Sequence, residues 1–410
     1  MKKFFALLLS LAMVLALVAC GQKEPTPDTP DTPDDPQTKV EYKVAMITDY
    51  GDITDQSFNQ TTYEACKAFA EDNSIEFSYF KPAGDNTADR VAMIEKAVDE
   101  GFNVIVMPGY AFGGAIVEAA PEFPDVKFIA LDVAAGDLLE TAVAKAGEAY
   151  DYTPENWDLN KYVDMSNVYC AVYQEELCGY MAGYAAVKLG YKNLGFLGGM
   201  SVPAVVRYGY GFVQGVDAAA ADLGLTDVKL NYIYGGQFFG DADITAVMDT
   251  WYQGGTEVVF ACGGGIYTSA VDAAKKANAK VIGVDVDQAG VIAKYAGVDG
   301  MTVTSAMKGL YPATYDTLTD VIVNGNWDKY VGKIATLGLV SGTDPEANYV
   351  QIPMGDGTQW SDSFTQDDYK AMVKDMFDGK ITVSNNTSSD VSAADFATVI
   401  TVDDQGSIKG

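Results

Sequence analysis

The chain of 410 residues contains no histidine. This absence excludes catalytic sites built on imidazole, such as Ser-His-Asp and Cys-His arrangements, and metal sites with histidine ligands. Basic residues are also scarce, since 27 Lys and Arg stand against 57 Asp and Glu and give a formal net charge of -30. The few basic residues cannot neutralise the phosphate backbone of a nucleic acid, and we therefore expect no nucleic-acid partner. For the same reason we expect little affinity for polyanions such as nucleotides.

Long apolar runs are missing after the first twenty residues. At the N-terminus, Lys2 and Lys3 precede an almost wholly apolar stretch over residues 4–18, which is followed by Ala19 and Cys20. A positive head, a short apolar stretch and small residues are typical of a secretory signal. The stretch is too short to cross a bilayer comfortably, so we do not expect a retained membrane helix.

The four residues Leu17–Cys20 resemble a bacterial lipobox, in which the cysteine becomes the lipid-carrying first residue of the mature chain. We therefore predict a lipoprotein signal peptide over residues 1–20 and lipid attachment at Cys20. An ordinary signal with an incidental cysteine is the alternative. Several acyl chains on one cysteine anchor a protein firmly, so we expect it on the extracytoplasmic face of the bacterial cell membrane.

Residues 21–39 form a Pro-, Asp- and Thr-rich segment with five prolines. Such a segment buries too little apolar surface to fold, and its prolines favour an extended conformation. We predict a semi-rigid tether.

Four further cysteines lie in apolar stretches: Cys66, Cys170, Cys178 and Cys262. An even number outside the cytoplasm permits disulfides. The apolar settings favour buried free thiols, and the spacing is not that of a metal site. We expect neither a metal nor a cofactor.

The rest of the chain alternates apolar strands with amphipathic helices, which predicts an α/β fold with parallel sheets. The pattern restarts at Val168, which predicts two similar lobes. We expect a first lobe over residues 40–167 with an insertion near 133–166, a second lobe over 168–336 with hinge crossovers, and an extension over 337–410 that partly returns to the lobes. The last twenty residues look loosely ordered. Ligands of such sheets bind at the carboxyl ends of the strands, so the site should be the cleft between the lobes.

Polar residues and glycines follow several of these predicted strands, and we expect them to face the cleft. They are Asp49, residues 109–112, Gly263–Gly265, Asp285 and Lys308. The three glycines match neither a dinucleotide fingerprint nor a P-loop. They are either a tight turn or a place where backbone approaches a ligand. No coherent catalytic set is present, so we expect no enzyme.

Six segments, in chain order, resemble motifs of the basic membrane protein family of ABC-transporter substrate-binding lipoproteins, whose characterised members bind purine nucleosides. The resemblance covers about Lys43–Val323. Its segments are Asp55–Gln60, Gly179–Gly183, Tyr208–Gly215, Gly263–Gly265, Ile282–Gln288 and Thr304–Lys308.

The resemblance implies a type I periplasmic-binding-protein fold, with two doubly wound lobes and a nucleoside held between two aromatic rings. Phe58 matches the ring of the first lobe, and Phe238, or less readily Phe239, that of the second. The remaining matches are Asn59 as a polar contact, Asp49 and Asp285 as carboxylates near the sugar, and Lys308 as a cation there. One departure is that many members carry an acidic residue shortly after the aromatic that matches Phe112. Here glycines and alanine follow, so we expect altered or looser base recognition.

The function that this resemblance implies is nucleoside capture for an ABC importer, with permease and ATPase subunits as partners. We expect the binding protein itself to be a monomer. Two alternatives stay open. One is the same fold binding a sugar or another neutral polar solute, and the other is a ligand sensor that does not serve transport.

Replacing the predicted anchor residue tests the membrane attachment. We expect Cys20→Ser to abolish lipid attachment and to leave part of the protein unprocessed, because no thiol remains at the cleavage site. Growth with labelled fatty acid followed by gel electrophoresis measures this. Label that still enters the variant would show that the anchor is elsewhere.

Overall fold

A computed structural model of the protein describes residues 41–409. The predicted signal peptide, Cys20 and the tether lie outside these residues. Residues from Tyr42 onward belong to one unit. Within the described range, no helix is both long enough and apolar enough to cross a membrane.

The strands of the described residues are short and mostly apolar. They are β1 (Lys43–Ile47), β2 (Glu76–Phe80), β3 (Val104–Pro108), β4 (Lys127–Leu131), β5 (Val168–Tyr173), β6 (Asn193–Gly198), β7 (Lys229–Tyr234), β8 (Val258–Cys262), β9 (Lys280–Asp285), β10 (Thr302–Lys308), β11 (Lys333–Leu337), β12 (Val350–Gln351) and β13 (Thr401–Ser407).

Helices connect most consecutive strands. They are α1 (Phe58–Asn73), α2 (Thr87–Asp99), α3 (Gly113–Ala119), α4 (Ala135–Lys145), α5 (Leu159–Tyr162), α6 (Glu175–Lys188), α7 (Pro203–Asp222), α8 (Ala242–Gln253), α9 (Tyr267–Ala277), α10 (Ala289–Ala296), α11 (Leu310–Leu318) and α12 (Gln366–Phe377).

The strands form two sheets, which define the two lobes. The first lobe contains the order β11-β5-β4-β3-β1-β2, and all its pairs are parallel. The second lobe contains the order β12-β10-β9-β8-β6-β7-β13, in which only β12 is antiparallel to its neighbour. Parallel strands with helices on both faces are apolar on both sides, which explains the continuous apolar runs in the sequence.

Alternate residues of β1 pack into different apolar cores. In β1, Val44 and Met46 join a large core that also contains strand residues of the second lobe, such as Phe196. Their neighbours Ala45 and Ile47 join a core confined to the first lobe. Because successive side chains of a strand point to opposite faces of the sheet, one face of each sheet lies in the shared core. This shared core joins the two lobes into one body.

Helices α6 and α7 pack with their backbones almost in contact. A Cβ added to either of two glycines of each helix would lie 2.0–2.4 Å from a backbone oxygen of the other helix. These glycines are Gly179, Gly183, Gly211 and Gly215. Two segments that carry the family resemblance are therefore explained by helix packing, because no larger side chain fits there.

Within residues 41–409 the chain crosses between the lobes three times, and the crossing segments are hydrogen-bonded to one another. The N–H of Gln174, after β5, donates to the carbonyl of Leu337 at 2.9 Å. The N–H of Gly309, after β10, donates to Tyr349 O at 2.7 Å, and Tyr349 N–H donates to Gly338 O at 3.0 Å. The predicted hinge crossovers thus lie side by side as three strands of chain.

The second lobe begins later than the sequence pattern predicts. The sequence pattern restarts at Val168 and so predicts that β5 begins the second lobe. In the structure, β5 pairs with β4 in the first sheet. Strand β11, from the far side of the second lobe, then pairs with β5. Strands and helices alternate in the same way before and after the chain passes from the first sheet to the second. The hydrophobic pattern therefore does not indicate where the chain changes sheet.

Two further segments differ from expectation. The predicted insertion over 133–166 begins with α4, whose buried Leu138 and Leu139 make it an ordinary helical connection between parallel strands. The C-terminal residues are ordered: β13 pairs with β7, and the Asp217 carboxylate accepts N–H bonds from residues 398–400 at 2.8–3.2 Å. Strand β13 lies at an exposed edge of the sheet and is therefore polar, so its sequence lacks the apolar residues that predict a strand.

The four cysteines of the described residues are buried and free, which confirms the predicted free thiols.

The close contact of α6 and α7 gives a test of the packing. We expect Gly215→Ala to destabilise the protein by about 3 kcal/mol or more, because its Cβ would lie 2.0 Å from Tyr180 O, a backbone atom that cannot rotate away. Gly290→Ala is the matched control, since it places a Cβ within a helix in open space. Chemical denaturation measures both variants, and equal midpoints would contradict the tight helix contact.

Candidate ligand-binding cleft

A cavity of about 430 Å³ lies where the carboxyl ends of the strands of both sheets meet. All seven residues that the sequence singled out for ligand binding line it: Asp49, Phe58, Asn59, Phe238, Gly263, Asp285 and Lys308. The fold brings them together from five strand ends or loops. Their contact with a ligand stays a prediction.

The turn between β1 and α1 places Phe58 at the first residue of the helix. Asp55 holds this turn, because its carboxylate accepts N–H bonds from Ser57 at 2.9 Å, Asn59 at 2.9 Å and Gln60 at 3.1 Å. Burial raises the pKa of Asp55 to about 6, although these N–H groups lower it. Asp55 thus replaces an ordinary helix cap and fixes where the next side chains lie.

Asp49 and Asn59 form one polar wall of the cavity. Oδ1 of Asp49 accepts from the N–H groups of Tyr50 at 2.6 Å and Gly51 at 2.7 Å, and from Asn59 Nδ2 at 3.3 Å. Burial raises the pKa of Asp49, while its hydrogen bonds act in the opposite direction. Asn59 Oδ1 is buried and has no hydrogen-bond partner among residues 41–409, so a ligand donor can use it.

Lys308 is a buried cation shared by carboxylates from both lobes. Its Nζ lies 2.5 Å from Asp132 Oδ2, 3.5 Å from Glu175 Oε1 and 3.7 Å from Asp285 Oδ1. Burial alone lowers the pKa of Lys308, but these carboxylates outweigh it and raise the pKa above its usual value. The ammonium therefore stays charged at neutral pH.

Three aromatic rings surround the same ammonium. Lys308 Nζ lies 4.6 Å from the ring centre of Phe58, 5.4 Å from that of Tyr173 and 5.6 Å from that of Tyr208. At these distances the negative faces of the rings attract the cation.

Asp285 ends β9 in a left-handed backbone conformation, with φ of 65°. Its Oδ2 accepts from Ser57 Oγ at 2.5 Å, and its Oδ1 accepts from Tyr208 Oη at 3.4 Å. Burial raises the pKa of Asp285, and the Lys308 charge lowers it.

The ring of Phe238 lies on glycine backbone. A Cβ added to Gly199 would be 2.3 Å from its Cδ1, and one added to Gly263 would be 2.7 Å from the same atom. Gly263 also has φ of 146°, which side chains rarely adopt. The sequence left two interpretations of this glycine segment open, a tight turn or backbone that approaches a ligand. The structure adds a third reason for a glycine at position 263, which is room for the Phe238 ring. Phe239 also lines the cavity, but its side chain is 55% exposed.

Sequence reasoning missed Asp132, Glu175 and Arg207. Asp132 directly follows β4, and Asp49 lies two residues after β1, so the same signal of a carboxylate just beyond a strand was present for Asp132. Glu175 begins α6, where a carboxylate is usually solvated. Here it is fully buried, and its Oε2 accepts from Arg207 Nε at 2.7 Å.

One predicted member of the cleft lies elsewhere. Phe112 was expected to face the ligand with residues 109–111, but it is fully buried and only Gly109 and Tyr110 of that segment line the cavity. The Arg90 guanidinium packs 5.9 Å from the Phe112 ring centre.

Within the described range, no group of three or more acidic or cysteine side chains could hold a metal ion.

The chain is similar in sequence to proteins of other microorganisms. The ABC transporter nucleoside-binding protein BmpA of Lactococcus lactis subsp. cremoris is 25% identical over 389 residues, covering 92% of this chain and 96% of that protein. An uncharacterized lipoprotein of Pyrococcus abyssi is 26% identical over 320 residues, covering 74% of this chain and 69% of that protein.

A solved ABC transporter solute-binding protein of Aeropyrum pernix superimposes with a TM-score of 0.60 at 20% identity, covering 84% of this chain and 88% of that one. The fold is therefore the type I periplasmic-binding-protein fold, as the resemblance implied. A family model described as ABC transporter substrate-binding protein PnrA-like matches residues 42–345. The chain belongs to this Bmp family of ABC transporter substrate-binding proteins.

Proposed function

We propose that the protein captures nucleosides, preferentially purine nucleosides, in the cleft and delivers them to the permease of an ABC importer. The observation that carries the proposal is one cavity lined by a phenylalanine from each lobe, several carboxylates and a single buried cation. A nucleoside offers matching groups: a flat base and a ribose with adjacent hydroxyl donors.

The two rings supply the recognition of the base. Phe58 belongs to the first lobe and Phe238 to the second, so a base between them gains its second stacking face when the lobes close. Stacking of a base on an aromatic side chain contributes about 1–3 kcal/mol. Neither ring is fully buried, which leaves ring surface for a ligand.

The carboxylates supply the recognition of the sugar. A ribose diol presents two adjacent donors, which carboxylate oxygens accept well. Asp49 and Asp285 are the expected partners, and Asp132 adds a third, since its buried Oδ1 has no partner among the described residues. Lys308 keeps this region from excess negative charge. With its ammonium already shared among carboxylates, it has little to offer a phosphate, so we expect free nucleosides to be preferred over nucleotides.

The comparisons support the transport role. The Lactococcus relative is named a nucleoside-binding protein, and the Pyrococcus relative a lipoprotein. We propose that this chain is anchored through Cys20 on the extracytoplasmic face of the membrane as a monomer. Closure of the lobes around the ligand would then be the change that the permease and ATPase assembly reads. This is a binding role, without catalysis.

Melting of the purified protein tests the ligand class. We expect adenosine, inosine or guanosine to raise Tm, because a ligand that binds only the folded form stabilises it by about 2.7 kcal/mol at a hundredfold excess over Kd. Differential scanning fluorimetry with nucleosides, neutral sugars and nucleoside triphosphates measures this. A shift with sugars and none with any nucleoside would refute the nucleoside proposal in favour of a sugar-binding protein.

Removal of the first-lobe ring tests the binding mode. We expect Phe58→Ala to weaken purine nucleoside binding by about 1–3 kcal/mol, roughly ten- to a hundredfold, because one stacking face is lost. Calorimetric titration gives the affinity, and unfolding without ligand gives the stability.

Phe377→Ala is the control, since that ring is 50% exposed and does not line the cavity. It should leave the affinity unchanged. If Phe58→Ala instead lowers stability by about 3–5 kcal/mol and the folded fraction binds normally, Phe58 is a core residue and not part of the site.

A further inference from the structure

Two hydrogen bonds join the lobes directly beside the cleft. Ser57 Oγ of the first lobe donates to Asp285 Oδ2 of the second at 2.5 Å. Gln288 Nε2 of the second lobe donates to the backbone oxygen of Gln56 at 3.1 Å. Ser57, Gln56 and Gln288 do not line the cavity. Asp285 does line the cavity, so only the bond between Gln288 and Gln56 forms wholly outside the space that a ligand fills.

Both sides of this contact are held in place by local structure. Gln56 has φ of 58°, a left-handed conformation. The Asp55 carboxylate fixes the residues that follow, through the N–H bonds of the turn. On the other side, Gln288 Oε1 accepts from Val284 N–H at 2.9 Å, and Gln288 N–H donates to Ser305 Oγ at 3.1 Å. Backbone strain of this kind persists only where the surroundings hold it.

The donor side chains have no exposed surface in this arrangement, since Ser57 and Gln288 are both 0% exposed. Separation of the lobes would break both hydrogen bonds and admit water to the four groups. The bonds therefore stabilise only the closed arrangement. The bond between Gln288 and Gln56 contributes the same free energy whichever ligand the cleft holds, because neither residue lines the cavity. The bond between Ser57 and Asp285 does so for nucleosides with the same sugar, because they present the same hydroxyl groups to the Asp285 carboxylate.

We propose that Ser57 and Gln288 are positioning residues that raise the affinity of the cleft by one common factor for nucleosides with the same sugar, by favouring closure of the lobes. A protein whose binding-competent arrangement is only partly populated has its affinity reduced by that fraction. Interlobe hydrogen bonds raise the fraction. The inference uses the proposed function only to choose the probe ligands.

The test uses two substitutions at separate positions. Ser57→Ala removes the hydroxyl and keeps the backbone bonds of the turn. Gln288→Glu, studied at pH 8, keeps an acceptor for Val284, removes the amide donor and places a carboxylate that repels the carbonyl oxygen of Gln56. Calorimetry gives the Kd of adenosine and of inosine, and small-angle X-ray scattering gives the radius of gyration without ligand.

We expect both Kd values to rise together, roughly tenfold for Ser57→Ala and roughly three- to tenfold for Gln288→Glu. The ratio of the adenosine and inosine Kd values should stay within about twofold of that of the unaltered protein. The ligand-free radius of gyration should increase for both variants, since the open arrangement gains population. The use of two sites separates closure from any direct effect on the Asp285 carboxylate.

Ser269→Ala is the matched control. Ser269 is also buried, but its hydroxyl donates to Asp241 O at 3.0 Å within the second lobe. This variant should lose stability and keep the affinities and the radius of gyration of the unaltered protein.

Three results would overturn the inference. The first is a loss of affinity for one nucleoside and not the other, which would mean direct ligand contact. The second is unchanged affinity in both variants. The third is an unchanged ligand-free radius of gyration. If the unaltered protein binds no nucleoside, the proposed function fails, and the scattering of the ligand-free variants alone decides whether these residues favour closure.

Discussion

The ammonium of Lys308, buried among carboxylates of both lobes, is the interaction on which the cleft depends. Asp132 follows a first-lobe strand, Asp285 ends a second-lobe strand, and Glu175 begins the first crossover helix. Without the cation, these carboxylates would be buried together with only Arg207 to compensate Glu175, and an uncompensated buried charge destabilises a protein by several kcal/mol. The charge cluster therefore links three parts of the fold, and ligand groups enter a site in which the cations offset part of the carboxylate charge.

Much of the site could be predicted from the sequence because parallel sheets bring the carboxyl ends of their strands to one edge. Asp49, Asp285 and Lys308 end or follow strands, so recognising the strands was enough to group them. The partners of Lys308 were harder to find. Asp132 is 176 positions away in the chain, and no local pattern announces that pairing. Phe112 does not line the cleft although Tyr110 does, because residues two apart in a short helical turn lie on different sides of it.

The fold shows the same division between local and distant information. Strands and helices follow from hydrophobic periodicity, which is a property of neighbouring residues. The sheet to which a strand belongs depends instead on residues far apart in the chain, so the prediction that β5 lies in the second lobe is wrong. Strand β13 was overlooked because an exposed edge strand needs few apolar residues, and its place depends on β7 and on Asp217. The glycines of α6 and α7 were noticed as family motifs, but their role in helix contact requires both helices to be seen together.

The three crossings of the chain also govern the order in which the protein can be completed during synthesis. The first sheet needs β11, which lies at residues 333–337, after most of the second lobe. Until those residues emerge, the edge of β5 that β11 will cover stays open, and an open strand edge is a template for unwanted pairing. The first lobe, although it starts the chain, thus cannot finish before the second sheet has nearly all its strands. Some 160 residues separate the end of β5 from the start of β11. A nascent chain must protect the edge of β5 for the time needed to add them.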